Sequence, residues 1–178
     1  MILSDGMGSG GRAAVDGALL SGLLTRMISA GFSMDSALKI SNSAMLFRSS
    51  VESLATADVT GIDLFSGRVD MYKAGAAPTL VRRDGRTGKA ESHSLPAGII
   101  RDISFDHASI ELSHDDIILM MSDGVTADGT DWICAELEGW TDGSATQLAN
   151  KIAVSAARRR SDGHTDDISV IAAIIQKI

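Results

Sequence analysis

Three aspartates of this 178-residue chain stand where an apolar run meets its boundary. Asp5 closes Ile2-Leu3-Ser4 and is followed by Gly6, and Asp123 closes Ile117-Ile118-Leu119-Met120-Met121-Ser122 and is followed by Gly124. Asp166, in His164-Thr165-Asp166-Asp167, leads into Ile168-Ser169-Val170-Ile171-Ala172-Ala173-Ile174-Ile175. A strand fixes the direction of a carboxylate at its end, and a following glycine lets the backbone carbonyl turn toward the same point. Hard oxygen donors converging from several strands suit Mg²⁺ or Mn²⁺, because carboxylates gathered without a cation repel one another. Taken singly, each residue fits an ordinary turn aspartate. Taken together, Asp5, Asp123 and Asp166 point to a divalent-metal centre.

The segment after Asp5, Gly6-Met7-Gly8-Ser9-Gly10-Gly11, also satisfies GxGxxG, the pattern of a dinucleotide-binding loop. That reading needs a second parallel strand ending in an acid about 20 residues on. Here helical spacing follows instead, and Asp5 would set a negative charge beside an incoming pyrophosphate. The metal reading is the stronger one.

The elements that must carry these residues follow from periodicity. Leu19, Leu20, Leu23, Leu24, Met27 and Ile28 recur at helical spacing, which predicts a helix from about Gly11 to Ala30, stopped at Gly31. Ser33 is placed to cap a second helix running to Phe47, so residues Gly11 to Arg48 form a helical hairpin. From Ala57 the period falls to two, and Ser66-Gly67 separates two strands of a β-hairpin that ends near Lys73. Further strands are expected at Thr79 to Arg82, Glu91 to Ser94, His107 to Leu112 and Ile117 to Met121, forming an antiparallel meander. Helices near Asp131 to Glu138 and Ser144 to Arg159 and a last strand from Ile168 to Ile175 complete the chain. Helices early and late around a block of strands give an α+β fold in one domain, residues 1–178.

Composition removes several function classes. A net charge of −7 argues against a nucleic-acid surface, since phosphate-backbone affinity depends on Lys and Arg. The short run Arg158-Arg159-Arg160 reads as a solvated helix end, where cations suit the macrodipole. No apolar run reaches the roughly 18 residues of a membrane span. Cys134 is the single cysteine, which excludes an intrachain disulfide and a Cys-rich zinc site and fits a reducing, cytoplasmic setting. Met1 leads straight into an apolar strand end with no signal peptide.

In this order and spacing, Ile2-Leu3-Ser4-Asp5-Gly6-Met7-Gly8-Ser9-Gly10, Ile117 to Val125 and Thr165 to Ala173 resemble the PPM-type protein serine/threonine phosphatases, the protein phosphatase 2C superfamily. Within it the likeness is to phosphatase domains of the sporulation type. Tyr72-Lys73-Ala74-Gly75-Ala76-Ala77-Pro78 and Ser94-Leu95-Pro96-Ala97-Gly98-Ile99 match further family segments.

The resemblance implies a four-layer α-β-β-α sandwich and hydrolysis of phosphoserine or phosphothreonine by a water shared between two divalent ions, Mn²⁺ or Mg²⁺. It places the bridging carboxylate at Asp5, with the carbonyl of Gly6 as a second ligand. Asp123 and Asp166 complete the metal shell, and Asp167 supports it from outside. His164 is either a proton donor to the leaving oxygen or a plain turn histidine. The implied partner is a phosphorylated protein of the anti-sigma-factor-antagonist type, in sporulation or partner-switching signalling. A homodimer and a tether upstream are further expectations. In relatives the helical hairpin acts as a switch on the metal site. Relatives also carry an acidic ligand on strands upstream of the first Asp-Gly, whereas only Met1 to Ser4 precede Asp5 here, so N-terminal strands are expected to be missing. The alternative function is a catalytically inactive regulatory module of the same fold.

Overall fold

A computed structural model of the chain describes residues 1–47, 53–159 and 166–176. The elements, in order, are β1 (Ile2–Leu3), α1 (Gly11–Ser29), α2 (Met34–Phe47), β2 (Ala57–Ile62), β3 (Arg68–Ala74), β4 (Thr79–Arg83), β5 (Arg86–Ala90), β6 (Asp106–Glu111), β7 (Ile117–Met121), α3 (Asp123–Thr126), α4 (Asp131–Glu138), α5 (Ala145–Arg159) and β8 (Val170–Ile174). They form an α+β arrangement with two four-stranded sheets, ordered β1-β2-β3-β6 and β5-β4-β7-β8. Among the described residues no helix is long and apolar enough to cross a membrane.

The chain divides into two compact units, the first comprising Met1–Ile62, Asp70–Ala76 and Glu91–Ser109, the second Asp63–Val69, Ala77–Ala90 and Ile110–Ile178. In the first, α1 and α2 lay Leu20, Leu24, Leu38 and Met45 against Ala55, Ala57, Val59 and Ala74. The apolar stripe read from the sequence is the buried one. Ser33 caps α2 as expected: the Ser36 amide donates to its Oγ at 3.2 Å. In the second unit Leu80, Ile117, Leu119 and Met121 pack with Ile133 and Leu137 of α4 and Leu148 and Ile152 of α5. All five side chains of β7 are buried, as befits a central strand.

Two expectations need correction. The strands do not form one meander: β3 pairs with β6, and β4 with β5 and β7, so the chain leaves each sheet and returns to it. Nor is there a strand at Glu91 to Ser94; the hairpin partner of β4 is β5, reached through Asp84 (φ 50°) and Gly85 (φ 73°). Positive φ at both central residues gives the tight turn whose twist suits a two-residue hairpin. The 92–94 segment bonds instead to a side chain. Oδ2 of Asp106 accepts from the amides of His93 (2.6 Å) and Ser94 (2.8 Å) and lies 2.8 Å from Ser94 Oγ and 3.2 Å from Ser92 Oγ.

Burial pushes the Asp106 carboxyl up, but these hydrogen bonds outweigh it and hold the pKa at about 2. Because the folded pKa lies below the unfolded one, this stabilisation is complete above about pH 4 and lost as pH falls through about 2. Asp106→Asn is expected to cost about 2 kcal/mol at pH 7, read from denaturant unfolding, and the cost should shrink as the wild type is taken from pH 4 toward pH 2.

Candidate metal centre

In the second unit Asp123, Asp166 and Asp167 belong to the chain segments at one end of the β7–β8 ladder. Its register pairs Met121 with Val170. One step further, the Ser122 amide donates to the Ser169 carbonyl at 3.0 Å. Ser122, itself buried, donates through Oγ to the carbonyl of Asp167 at 2.7 Å and accepts the Ser169 amide at 2.9 Å. The hydroxyl thereby fastens the chain before β8 to the end of β7, the strand that Asp123 follows in sequence. The side chains of Asp123, Asp166 and Asp167 are all exposed. Asp123 does not end in a simple turn as its Asp-Gly pair suggested. It opens α3, a single helical turn too short to leave a periodic signal, whose Val125 amide bonds to the Ser122 carbonyl at 3.0 Å.

Asp5 belongs to the first unit. Beyond β1 the pairing with the β2 strand continues: the Thr56 amide donates to the Asp5 carbonyl at 2.7 Å, the Asp5 amide to Thr56 Oγ1 at 3.0 Å, and the Met7 amide to the Leu54 carbonyl at 2.9 Å. Gly6 bridges Ala55, which bridges Ala97 on its other side, so three chain segments lie side by side under the Asp-Gly pair. The two other family segments meet there. A Cβ on Gly75 would fall 2.5 Å from Pro96 Cγ, and one on Gly98 2.1 Å from the Ser53 carbonyl oxygen.

Helix α1 passes equally close. A Cβ on Gly6 would lie 1.8 Å from the Ala13 carbonyl oxygen, and one on Gly17 would lie 3.0 Å from the Gly6 nitrogen. Gly10, the residue before α1, has φ 84°, a backbone that glycine adopts without strain. The glycines therefore serve a helix packed on a strand end. A second helix, not a strand, follows, so the dinucleotide pattern has no supporting context.

Several polar residues near Asp5 escaped the sequence reading. Asp16, buried on α1, accepts from Ser53 Oγ at 2.9 Å and lies 4.0 Å from Arg12 Nε. Lys73 and Asp58, exposed by 2% and 1%, form an ion pair with Nζ 2.5 Å from Oδ2. Burial pushes the Lys73 ammonium below its ordinary pKa, against the pull of the Asp58 and Asp106 charges. The available signal was a lysine inside the buried alternation Val69, Met71, Lys73. His164 lies outside the described residues.

Among the described residues no group of three His, Cys, Asp or Glu side chains is gathered in metal-holding geometry. The donor chemistry nevertheless fits a hard cation: exposed carboxylates fixed at a strand end in one unit, and in the other an Asp-Gly pair whose main chain is held by Thr56.

The profile of the family "Stage II sporulation protein E (SpoIIE)" matches residues 1–176. The chain belongs to this family. It is 29% identical over 95% of its length to stage II sporulation protein E of Bacillus subtilis, of which it spans 21%. The solved PP2C phosphatase domain of SpoIIE from Bacillus subtilis, with a fragment of its regulatory domain, superposes with a TM-score of 0.86 at 28% identity, covering 98% of this chain and 53% of that one. A manganese-presoaked form of that phosphatase domain gives a TM-score of 0.61 at 26% identity over 89% of this chain and 72% of the other. The phosphoserine phosphatase RsbP of Bacillus subtilis is 27% identical over 94% of this chain and 43% of its own length. The fold is thus that of the PP2C-type phosphatases, as the motifs implied.

Proposed function

We propose that this SpoIIE-family chain is a divalent-metal-dependent protein phosphatase acting on phosphoserine or phosphothreonine of a partner protein. The observation that supports the reading is the Ser122 latch, which ties the main chain of Asp167 and Ser169 to the end of β7, one residue before Asp123, in a chain with a PP2C-type fold. Asp5, Asp123 and Asp166, with the Gly6 carbonyl, are the residues that would hold two Mn²⁺ or Mg²⁺ ions, and Asp167 lies outside that set. When bound, such ions polarise phosphoryl oxygens and lower the pKa of a shared water.

The protein's own part is to hold the carboxylates before the ions arrive. Thr56 fixes the main chain of Asp5, Ser122 fixes that of Asp167, and the close pass of α1 keeps Gly6 in place. The similarity to RsbP and SpoIIE favours a phosphoprotein of the anti-sigma-factor-antagonist type as substrate, in sporulation or partner-switching signalling. With Mn²⁺ present the protein is expected to release phosphate from a phosphoserine peptide, and EDTA should stop the release. A folded sample with no metal-dependent turnover would reject the enzyme reading in favour of a regulatory module.

A further inference from the structure

The Lys73–Asp58 ion pair occupies Asp5's own face of the first sheet, yet neither residue belongs to the donor set. The register pairs Leu3 with Asp58, and the Gly6–Ala55 bridge continues it, so Asp5 stands opposite Thr56. Opposed residues share a face, as do alternate residues along a strand, which puts Leu3, Asp5, Thr56 and Asp58 on one side. Asp58 is then the diagonal neighbour of Asp5, a separation of about 7 Å on such a ladder. Along β3 the same buried face reads Val69, Met71, Lys73, with the charge at the end that lies beside Asp58.

A hydrophobic residue would continue that pattern, and a buried ion pair is a poor source of stability compared with an apolar pair of similar volume. Charge placed there acts on its surroundings instead. Interaction at this range in a buried setting is far stronger than in water.

We propose that Asp58 and Lys73 set the charge at Asp5: Asp58 is a second buried carboxylate beside the candidate metal centre, and Lys73 cancels it, so the pair fixes the centre's affinity for divalent cations without ligating one. This rests on the metal-centre reading given above. Removing the two partners should therefore have opposite consequences. Without Lys73, Asp58 loses the charge that offsets it and adds negative charge next to Asp5. Without the Asp58 charge, the ammonium is left with only part of its compensation and adds positive charge near Asp5.

The test is direct Mn²⁺ binding, by electron paramagnetic resonance of free Mn²⁺, to wild type, Lys73→Met, Lys73→Arg and Asp58→Asn, with thermal melts of the metal-free proteins. Lys73→Met is expected to bind Mn²⁺ about tenfold more tightly and Asp58→Asn about tenfold more weakly, while Lys73→Arg stays near wild type. Lys73→Met and Asp58→Asn should both melt lower. Shifts of Mn²⁺ affinity in the same direction, or lower melting with unchanged affinity, would reduce the pair to a structural role and overturn the proposal. If Lys73→Met does not fold, Asp58→Asn decides alone: its amide can still accept from Lys73, so a purely structural pair predicts unchanged affinity. A wild type that binds no Mn²⁺, or binds it as well after Asp5→Asn, would instead reject the metal centre itself.

Discussion

Asp5→Asn is expected to reduce Mn²⁺-dependent phosphatase activity by at least about 10³-fold, whereas Asp167→Asn should cost only a few-fold. In the proposed reading Asp5 carries the charge that two cations share, and an amide oxygen cannot replace it. Folding should survive, because the contacts that hold Asp5 to Thr56 use its main-chain amide and carbonyl. At Asp167 the defined structural contact is likewise main-chain, the carbonyl that accepts Ser122 Oγ, and an asparagine keeps it. The measurement is kcat/KM for both variants at saturating Mn²⁺, with melting temperatures as controls. Equal losses in the two variants would move the ligand from Asp166 toward Asp167. Wild-type activity in Asp5→Asn would remove Asp5 from the centre.

Gly6→Ala should be strongly destabilising, since among the described glycines a Cβ there makes the closest contact with backbone. Its Cβ would lie 1.8 Å from the Ala13 carbonyl oxygen and 2.8 Å from Ala13 Cα. Both are backbone atoms of α1, so relief requires the helix or the strand end to move. A loss of more than about 3 kcal/mol is expected, enough to unfold a marginal domain. Gly11→Ala is the contrasting case, since a Cβ there meets open space and alanine favours the first turn of α1. It should leave stability unchanged or raise it by up to about 1 kcal/mol. Gly10→Ala falls between, penalised by φ 84° though not by contact. Denaturant melts of the three variants give the order, and a Gly6→Ala protein as stable as wild type would show that α1 does not rest on the Asp-Gly pair.

What could be read in advance differed by type of signal. The two long helices and the buried run of β7 were legible because periodicity over many residues reports burial directly, as Leu20, Leu24 and Ile117 to Met121 show. The Asp-Gly pairs announced their positions at strand ends for the same reason. Strand β5 was missed because Arg-Thr-Gly-Lys-Ala carries almost no apolar residue; it is defined by its turn and by pairing with β4. The expected strand at Glu91 to Ser94 failed because a distant carboxylate, Asp106, claims its amides. Thr56, Asp58 and Ser122 gave no sequence signal, since their contacts lie across a sheet and sheet pairing is not local in sequence, whereas Lys73 showed itself only as a charge in a buried alternation.

The strand order also bears on how the candidate centre opens and closes. Among the described residues β8 is outermost in its sheet, hydrogen-bonded to one neighbour, while β7 lies between β4 and β8 with every side chain buried. Outer strands exchange their amide hydrogens through local opening of low free energy, and central ones only near global unfolding. Asp123 therefore follows a strand that opens only near global unfolding, while Asp166 precedes a strand open to local fraying. A cation bound at that end of the β7–β8 ladder would favour its closed state by mass action, so that occupancy and local order at the sheet margin rise and fall together.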